Sequence, residues 1–125
     1  LSEKAVLGNM WANINYPGNF NRPHIHPNSL FSGVYYIKAP KRSGNLMVYD
    51  PRPGVQMIMP NRVGDKRTEN MILDHGPLPP ELWREVHYEP IAGRIIMFPA
   101  WLCHEVRTNE SNDTRISVSF NFLQR

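Results

Sequence analysis

Hydrophobic positions along this chain recur mostly at every second residue, in short runs cut by turn-forming residues. Residues 10–16 alternate and end in Pro17-Gly18-Asn19, which reads as a strand and a turn. Phe31–Lys38 (FSGVYYIK) is rich in aromatic and β-branched residues and stops ahead of Ala39-Pro40. Leu46–Tyr49 closes at Asp50-Pro51, and residues 55–59 read as another short strand. Glu85–Tyr88 and residues 94–98, 101–106 and 115–122 bring the set to about eight strands. Residues 60–80 are polar and aperiodic, as active-site lids and binding loops often are. Helix is expected at most as one turn at residues 80–83 and as a segment over residues 1–9 capped by Ser2. The pattern predicts an all-β protein, a jelly roll or barrel-like sandwich with little helix.

Composition narrows this further. A chain of 125 residues has room for one core, so residues 1–125 are expected to form a single domain. Twelve prolines and eight glycines exclude a helical bundle, because proline removes a backbone donor and breaks helix interiors. No apolar run approaches the roughly 20 residues of a membrane-spanning helix, and no basic-then-apolar leader opens the chain. It begins at Leu1 rather than a methionine, which leaves room for residues ahead of it. A lone cysteine, Cys103, cannot form an internal disulfide and points to a reducing, cytoplasmic setting. The net charge of +3 is scattered over Lys38, Lys41 and Arg42, over Arg62, Lys66 and Arg67, and over Arg84 and Arg94. That dispersal suits solvated loops and argues against a nucleic-acid groove.

The chemistry concentrates in histidines. His24-Ile25-His26 lies between two prolines, and in an extended segment residues i and i+2 share a face. Two imidazoles would then stand side by side, as a metal site requires, although a polar loop with two surface histidines fits the pair equally well. His104 follows the apolar run 94–102 and is either a hydrogen-bonded core histidine or a third ligand converging across the sandwich. In residues 115–122, alternation puts Arg115, Ser117, Ser119 and Asn121 on one face and Ile116, Val118, Phe120 and Phe122 on the other. The expected arrangement packs the apolar side and turns the polar side into a cavity. An arginine there needs an anion, and its planar fork fits a carboxylate. The plain alternative is an exposed arginine paired with Asp113 or Glu110.

The order of these features (His24-Ile25-His26, then SGVYYI, a glycine turn before an apolar strand, His104 and Arg115) resembles the iron(II)/2-oxoglutarate-dependent oxygenases. The likeness is strongest to a branch known from phages and marine bacteria, on HIHPNSLFSGVYYI (residues 24–37) and FPAWLCHEV (residues 98–106). Tyr16-Pro17-Gly18-Asn19 ahead of the pair and Tyr35-Tyr36 behind it are similar to prolyl hydroxylases. The resemblance spans residues 11–122 and implies a double-stranded β-helix, with Fe(II) and 2-oxoglutarate as cofactors and dioxygen as reactant. It implies His24 and His104 as iron ligands, and Arg115, Ser117 and Tyr36 as the holders of the distal carboxylate of 2-oxoglutarate. Ser119 and Asn121 would border the co-substrate or product. The departure is at His26, where the common pattern has a carboxylate; a third imidazole is expected on the metal, with Asp50 as the alternative source of an anion. His75 and His87 read as structural or exposed.

The implied reaction hydroxylates an unactivated C–H bond and releases succinate and CO2. Its substrate is a small molecule or a peptidyl proline, with Trp11, Trp83 and Trp101 as candidate walls. Two other classes compete: a cupin-like three-histidine metalloenzyme without a keto acid, and a metal-free jelly-roll binding module.

Overall fold

The computed structural model describes residues 4–52 and 84–124. Within them lie eight strands: β1 (Ala5–Asn15), β2 (Asn21–His24), β3 (Phe31–Lys38), β4 (Leu46–Tyr49), β5 (Glu85–Tyr88), β6 (Ile95–Pro99), β7 (His104–Val106) and β8 (Arg115–Gln124). They form two antiparallel four-stranded sheets, ordered β1-β8-β3-β6 and β2-β7-β4-β5. This is the jelly roll that the strand spacing predicts. No helix occurs among the described residues.

The first expectation to fall is the helix over residues 1–9. Ala5 to Asn9 continue β1, with Leu7 opposite Phe122 and Asn9 opposite Asn121. A long partner strand supplies ladder hydrogen bonds that a short isolated helix cannot match. The last strand of the second sheet is also shorter than its apolar run suggests. Residues 100–102 form the turn after β6, where Leu102 N–H donates to Pro99 O at 3.0 Å, and pairing resumes only at His104. The expected strand 55–59, the loop 60–80 and the turn 80–83 lie outside the described residues.

The interior of the sandwich is more polar than apolar. Among the described residues, seven polar or charged ones are buried against five hydrophobic ones, and His104, Arg115 and Ser117 of the seven face the cavity between the sheets. β8 shows how this arises. Arg115, Ser117 and Asn121 are buried, whereas Ile116, Val118, Phe120 and Phe122 on its other face are only half-buried. The expectation that the apolar side would be packed is therefore met only in part. Across the sheet that side continues through Leu7, Met10 and Ile14 of β1, Phe31, Tyr35 and Ile37 of β3, and Ile95 and Met97 of β6, all exposed. Gly33 is the small residue of this face, because a Cβ there would collide with the Phe120 ring.

The turns around the polar end are tied together by Asn109, which is 1% exposed. Its Nδ2 donates to the carbonyls of Asn15 (3.0 Å) and Asp113 (2.9 Å), and its Oδ1 accepts from the Ser111 N–H and hydroxyl. Its backbone pairs with the 16–19 turn, Gly18 N–H to Asn109 O and Asn109 N–H to Asn19 O. Asn109→Ala would remove four hydrogen bonds of a buried side chain, although the Asp113 carbonyl would keep the Ser111 hydroxyl, and is expected to cost about 2–3 kcal/mol. A urea unfolding midpoint displaced to lower concentration checks this.

Candidate metal centre

The three histidines are brought together by strand pairing. His24, the last residue of β2, lies directly opposite His104, the first of β7, and their ring centroids are 4.3 Å apart. His26 lies two residues past the end of β2. Its backbone N–H donates to Ala100 O at 2.9 Å, which holds the segment against the turn between β6 and β7. The His26 ring is 5.1 Å from each of the other two, centroid to centroid.

Hydrogen bonds fix which nitrogens face inward. A carbonyl can only accept, so His24 Nδ1–H donates to Arg22 O (2.6 Å) and His104 Nδ1–H donates to Leu102 O (2.8 Å). Each ring then keeps its Nε2 lone pair for a ligand, the second-sphere pattern typical of metal-binding imidazoles. The Nε2 atoms of His26 and His104 stand 3.3 Å apart, and one nitrogen from each of the three residues lies within 4.8 Å of the others. Nitrogens about 2.1 Å from one cation at right angles would be about 3 Å apart, so the set is nearly closed to that geometry.

Burial favours the neutral form of His104 and His26. His104 is 3% exposed, and desolvation is the main cause that lowers its pKa from 6.5 to about 4. The neighbouring His24 and His26 rings push the same way, while the bond to Leu102 opposes. Desolvation, then His24, also lowers the pKa of His26. A neutral imidazole is the form that binds a metal. The depressed value carries a stability consequence for the metal-free protein. The unfolded chain takes up a proton near pH 6.5, and the folded one holds out to about pH 4. Stability should therefore fall as pH drops between those values and then level off, by roughly 2–3 kcal/mol. Denaturant unfolding at pH 7.5, 5.5 and 4 measures the slope.

The second half of the cavity belongs to Arg115. It opens β8 opposite Asn15, lines the same cavity as the histidines and is 2% exposed. Its Nη1 donates to Ser43 O (2.7 Å) and Gly44 O (2.8 Å), while its buried Nε has no partner. Burial lowers its pKa and raises that of the Tyr36 phenol, which Arg115 opposes. No carboxylate lines the cavity among the described residues. Asp113 and Glu110 bind Lys38 (2.7 Å) and Arg42 (3.0 Å) instead. Among the described residues this buried guanidinium therefore has no acid to offset its charge, which is costly unless an anion meets it.

The other sequence candidates fall into place around these two poles. Tyr36, Ser117 and Ser119 line the cavity, and Tyr35 points to the outer face. Asn121 is buried but bonded to Ser32 (2.7 Å) and Asn9 (3.0 Å), and it does not line the cavity. Asp50 is not there either. Its carboxylate accepts from Arg52, which holds its pKa down to about 2. His87 bonds Glu85 (3.2 Å) on β5 and is separate from the cluster. Trp11 lines the cavity with its ring 6.2 Å from that of His26, and Trp101 is exposed. His75 and Trp83 lie outside the described residues. The sequence reading missed Asn13, Asn15 and Asn21, which also line the cavity. Their signal was present in β1, where Asn13 and Asn15 alternate with apolar neighbours and Asn13 Nδ2 donates to Ser119 Oγ at 2.8 Å.

Comparison with known proteins agrees with this geometry. The family model described as "Putative 2OG-Fe(II) oxygenase" matches residues 9–121. The chain belongs to that family, the iron(II)- and 2-oxoglutarate-dependent oxygenases, whose cofactors are Fe(II) and 2-oxoglutarate. Among solved structures it is similar to a 2OG-Fe(II) oxygenase-family oxidoreductase from Burkholderia pseudomallei, at 16% identity and a TM-score of 0.66 over 98% of this chain and 47% of that one. It is similar to a Pseudomonas putida prolyl-4-hydroxylase, at 20% identity and a TM-score of 0.59 over 93% of this chain and 52% of that one. A third likeness is to the epimerase SnoN, solved with Fe3+, alpha ketoglutarate and nogalamycin RO, at 16% identity and a TM-score of 0.59 over 94% and 49% of the two chains. At these identities the likeness is one of fold. The chain spans about half the length of these proteins. No curated protein matches it. Among the described residues no helix is long and apolar enough to cross a membrane.

Proposed function

We propose that this chain carries the catalytic core of a non-haem Fe(II)- and 2-oxoglutarate-dependent dioxygenase that hydroxylates an unactivated C–H bond. The observation that carries the reading is one cavity with a three-imidazole cluster and a buried arginine that has no acidic partner among the described residues. His24, His26 and His104 hold the metal through Nε2, with the tautomers of His24 and His104 set by Arg22 O and Leu102 O. Arg115 binds the distal carboxylate of 2-oxoglutarate, with Ser117 and Tyr36 beside it. Bound iron supplies the oxygen chemistry, in which 2-oxoglutarate, O2 and R–H become succinate, CO2 and R–OH. The protein's part is to fix the keto acid by its far end, keep His26 and His104 neutral and shield the cavity from water.

Arg115 also separates this reading from a three-histidine enzyme that uses no keto acid. Such an enzyme has no use for an unpaired guanidinium in its cavity. The test is to mix purified protein anaerobically with Fe(II) and 2-oxoglutarate, admit oxygen and follow succinate. Slow succinate release that is lost in His104→Ala is expected. Metal uptake without any keto-acid consumption would favour the cupin-like chemistry, and no metal uptake would favour a binding module. His26→Asp restores the carboxylate common to the family and should keep metal binding while altering the ratio of succinate to product. Unchanged metal affinity in His26→Ala would exclude His26 from the ligand set.

A further inference from the structure

The loop between β3 and β4 has a role that its sequence, Lys41-Arg42-Ser43-Gly44-Asn45, does not announce. It wraps the guanidinium of Arg115 from behind. Both protons of Nη1 are taken by backbone carbonyls, Ser43 O at 2.7 Å and Gly44 O at 2.8 Å. Backbone carbonyls cannot neutralise the charge, but they stop the side chain from pivoting about its last torsions. A guanidinium held in this way keeps donors for a carboxylate at a fixed orientation.

The carbonyls point inward because the chain reverses twice at positive φ, at Arg42 (63°) and Gly44 (97°). The loop is braced from outside by Ser43 N–H to Pro40 O, Glu110 N–H to Arg42 O and Arg107 N–H to Asn45 O. Position 44 has no space for a side chain. A Cβ there would collide with the Arg107 carbonyl and lie 3.0 Å from Arg115 Nη1. Glycine is thus required twice, by conformation and by contact.

We infer that Gly44 is a positioning residue: the 43–44 turn clamps Nη1 and holds the guanidinium of Arg115 preset for a single carboxylate. The inference rests on the reading of Arg115 as the anchor of 2-oxoglutarate. Preorganisation of this kind shows in affinity, since the ordering cost is met before the ligand arrives.

The test compares Gly44→Ala with Gly18→Ala, using Co(II)-loaded protein and calorimetric titration of 2-oxoglutarate. Gly18 also has a positive φ (85°), but nothing lies within 4 Å of its would-be Cβ, so it reproduces the backbone strain alone. Gly44→Ala should weaken 2-oxoglutarate binding by about 10-fold or more and leave Co(II) affinity within about 2-fold, whereas Gly18→Ala should leave both unchanged. Keto-acid affinity equal to that of the unaltered protein, or an equal loss in Gly18→Ala, would overturn the inference. If Gly44→Ala fails to fold, side-chain NMR of the unaltered protein decides. Separate, slowly exchanging Nη1 protons on Arg115 before any keto acid is added support the clamp, and a rotationally averaged signal refutes it. Undiminished keto-acid binding in Arg115→Ala would instead locate the failure in the anchor reading beneath.

Discussion

Replacing His104 with alanine is expected to remove metal binding almost entirely, by at least about 100-fold in Fe(II) or Co(II) affinity, more than the loss of an outer hydrogen-bonding partner causes. His104 is the most buried of the three imidazoles and packs beside both of the others, with Phe98 on its ring at 4.5 Å. Its Nδ1–H is already committed to Leu102 O, so only Nε2 can serve a cation. The vacated space would be lined by His24, His26 and Phe98, and two imidazoles alone cannot fix the position of an ion. Because a neutral ring is removed, the metal-free fold should lose the packing of an aromatic group but gain no buried charge. Calorimetric metal titration alongside thermal unfolding separates the two effects. Retained stoichiometric binding in His104→Ala would mean that the ion sits elsewhere.

Arg115→Ala should show the opposite profile, with metal affinity preserved and 2-oxoglutarate affinity lost. A desolvated, charge-assisted fork with a carboxylate is worth about 2–5 kcal/mol, or roughly 30- to several-thousand-fold in affinity. Part of that loss comes from leaving the far carboxylate of the keto acid unpaired in a cavity with no other cation among its described lining residues. Arg115→Lys should recover little, because one ammonium cannot satisfy both the Ser43 and Gly44 carbonyls and a carboxylate fork. Titrating 2-oxoglutarate into metal-loaded protein measures both variants. Near-normal keto-acid affinity in Arg115→Ala would remove the anion pole from the site.

How much of this was legible in the sequence depended on the range of the interaction. Alternation within one strand was readable. It put Arg115, Ser117 and Ser119 on the cavity face and separated Tyr36 from Tyr35, as the structure does. The His24/His26 pair needed only two-residue spacing, and its meeting with His104 followed from the order of motifs. Contacts that depend on pairing between distant segments were hidden. Local capping at Ser2 suggested a helix where β8 instead recruits Ala5–Asn15 as a strand. Nothing in a turn such as Arg42-Ser43-Gly44 shows that its carbonyls will meet a side chain 71 residues away. Asn109 was silent in part for the same reason, since its side chain ties its own loop, at Ser111 and Asp113, to the distant end of β1 at Asn15.

The indole of Trp11, lying 29° from parallel to the His26 ring, gives the centre a built-in optical reporter. An open-shell cation seated among the imidazoles would drain the excited state of a chromophore so near. The portion of the emission that Trp11→Phe removes should therefore be the portion that dims on loading, so that occupancy can be followed without turnover, oxygen or a known substrate.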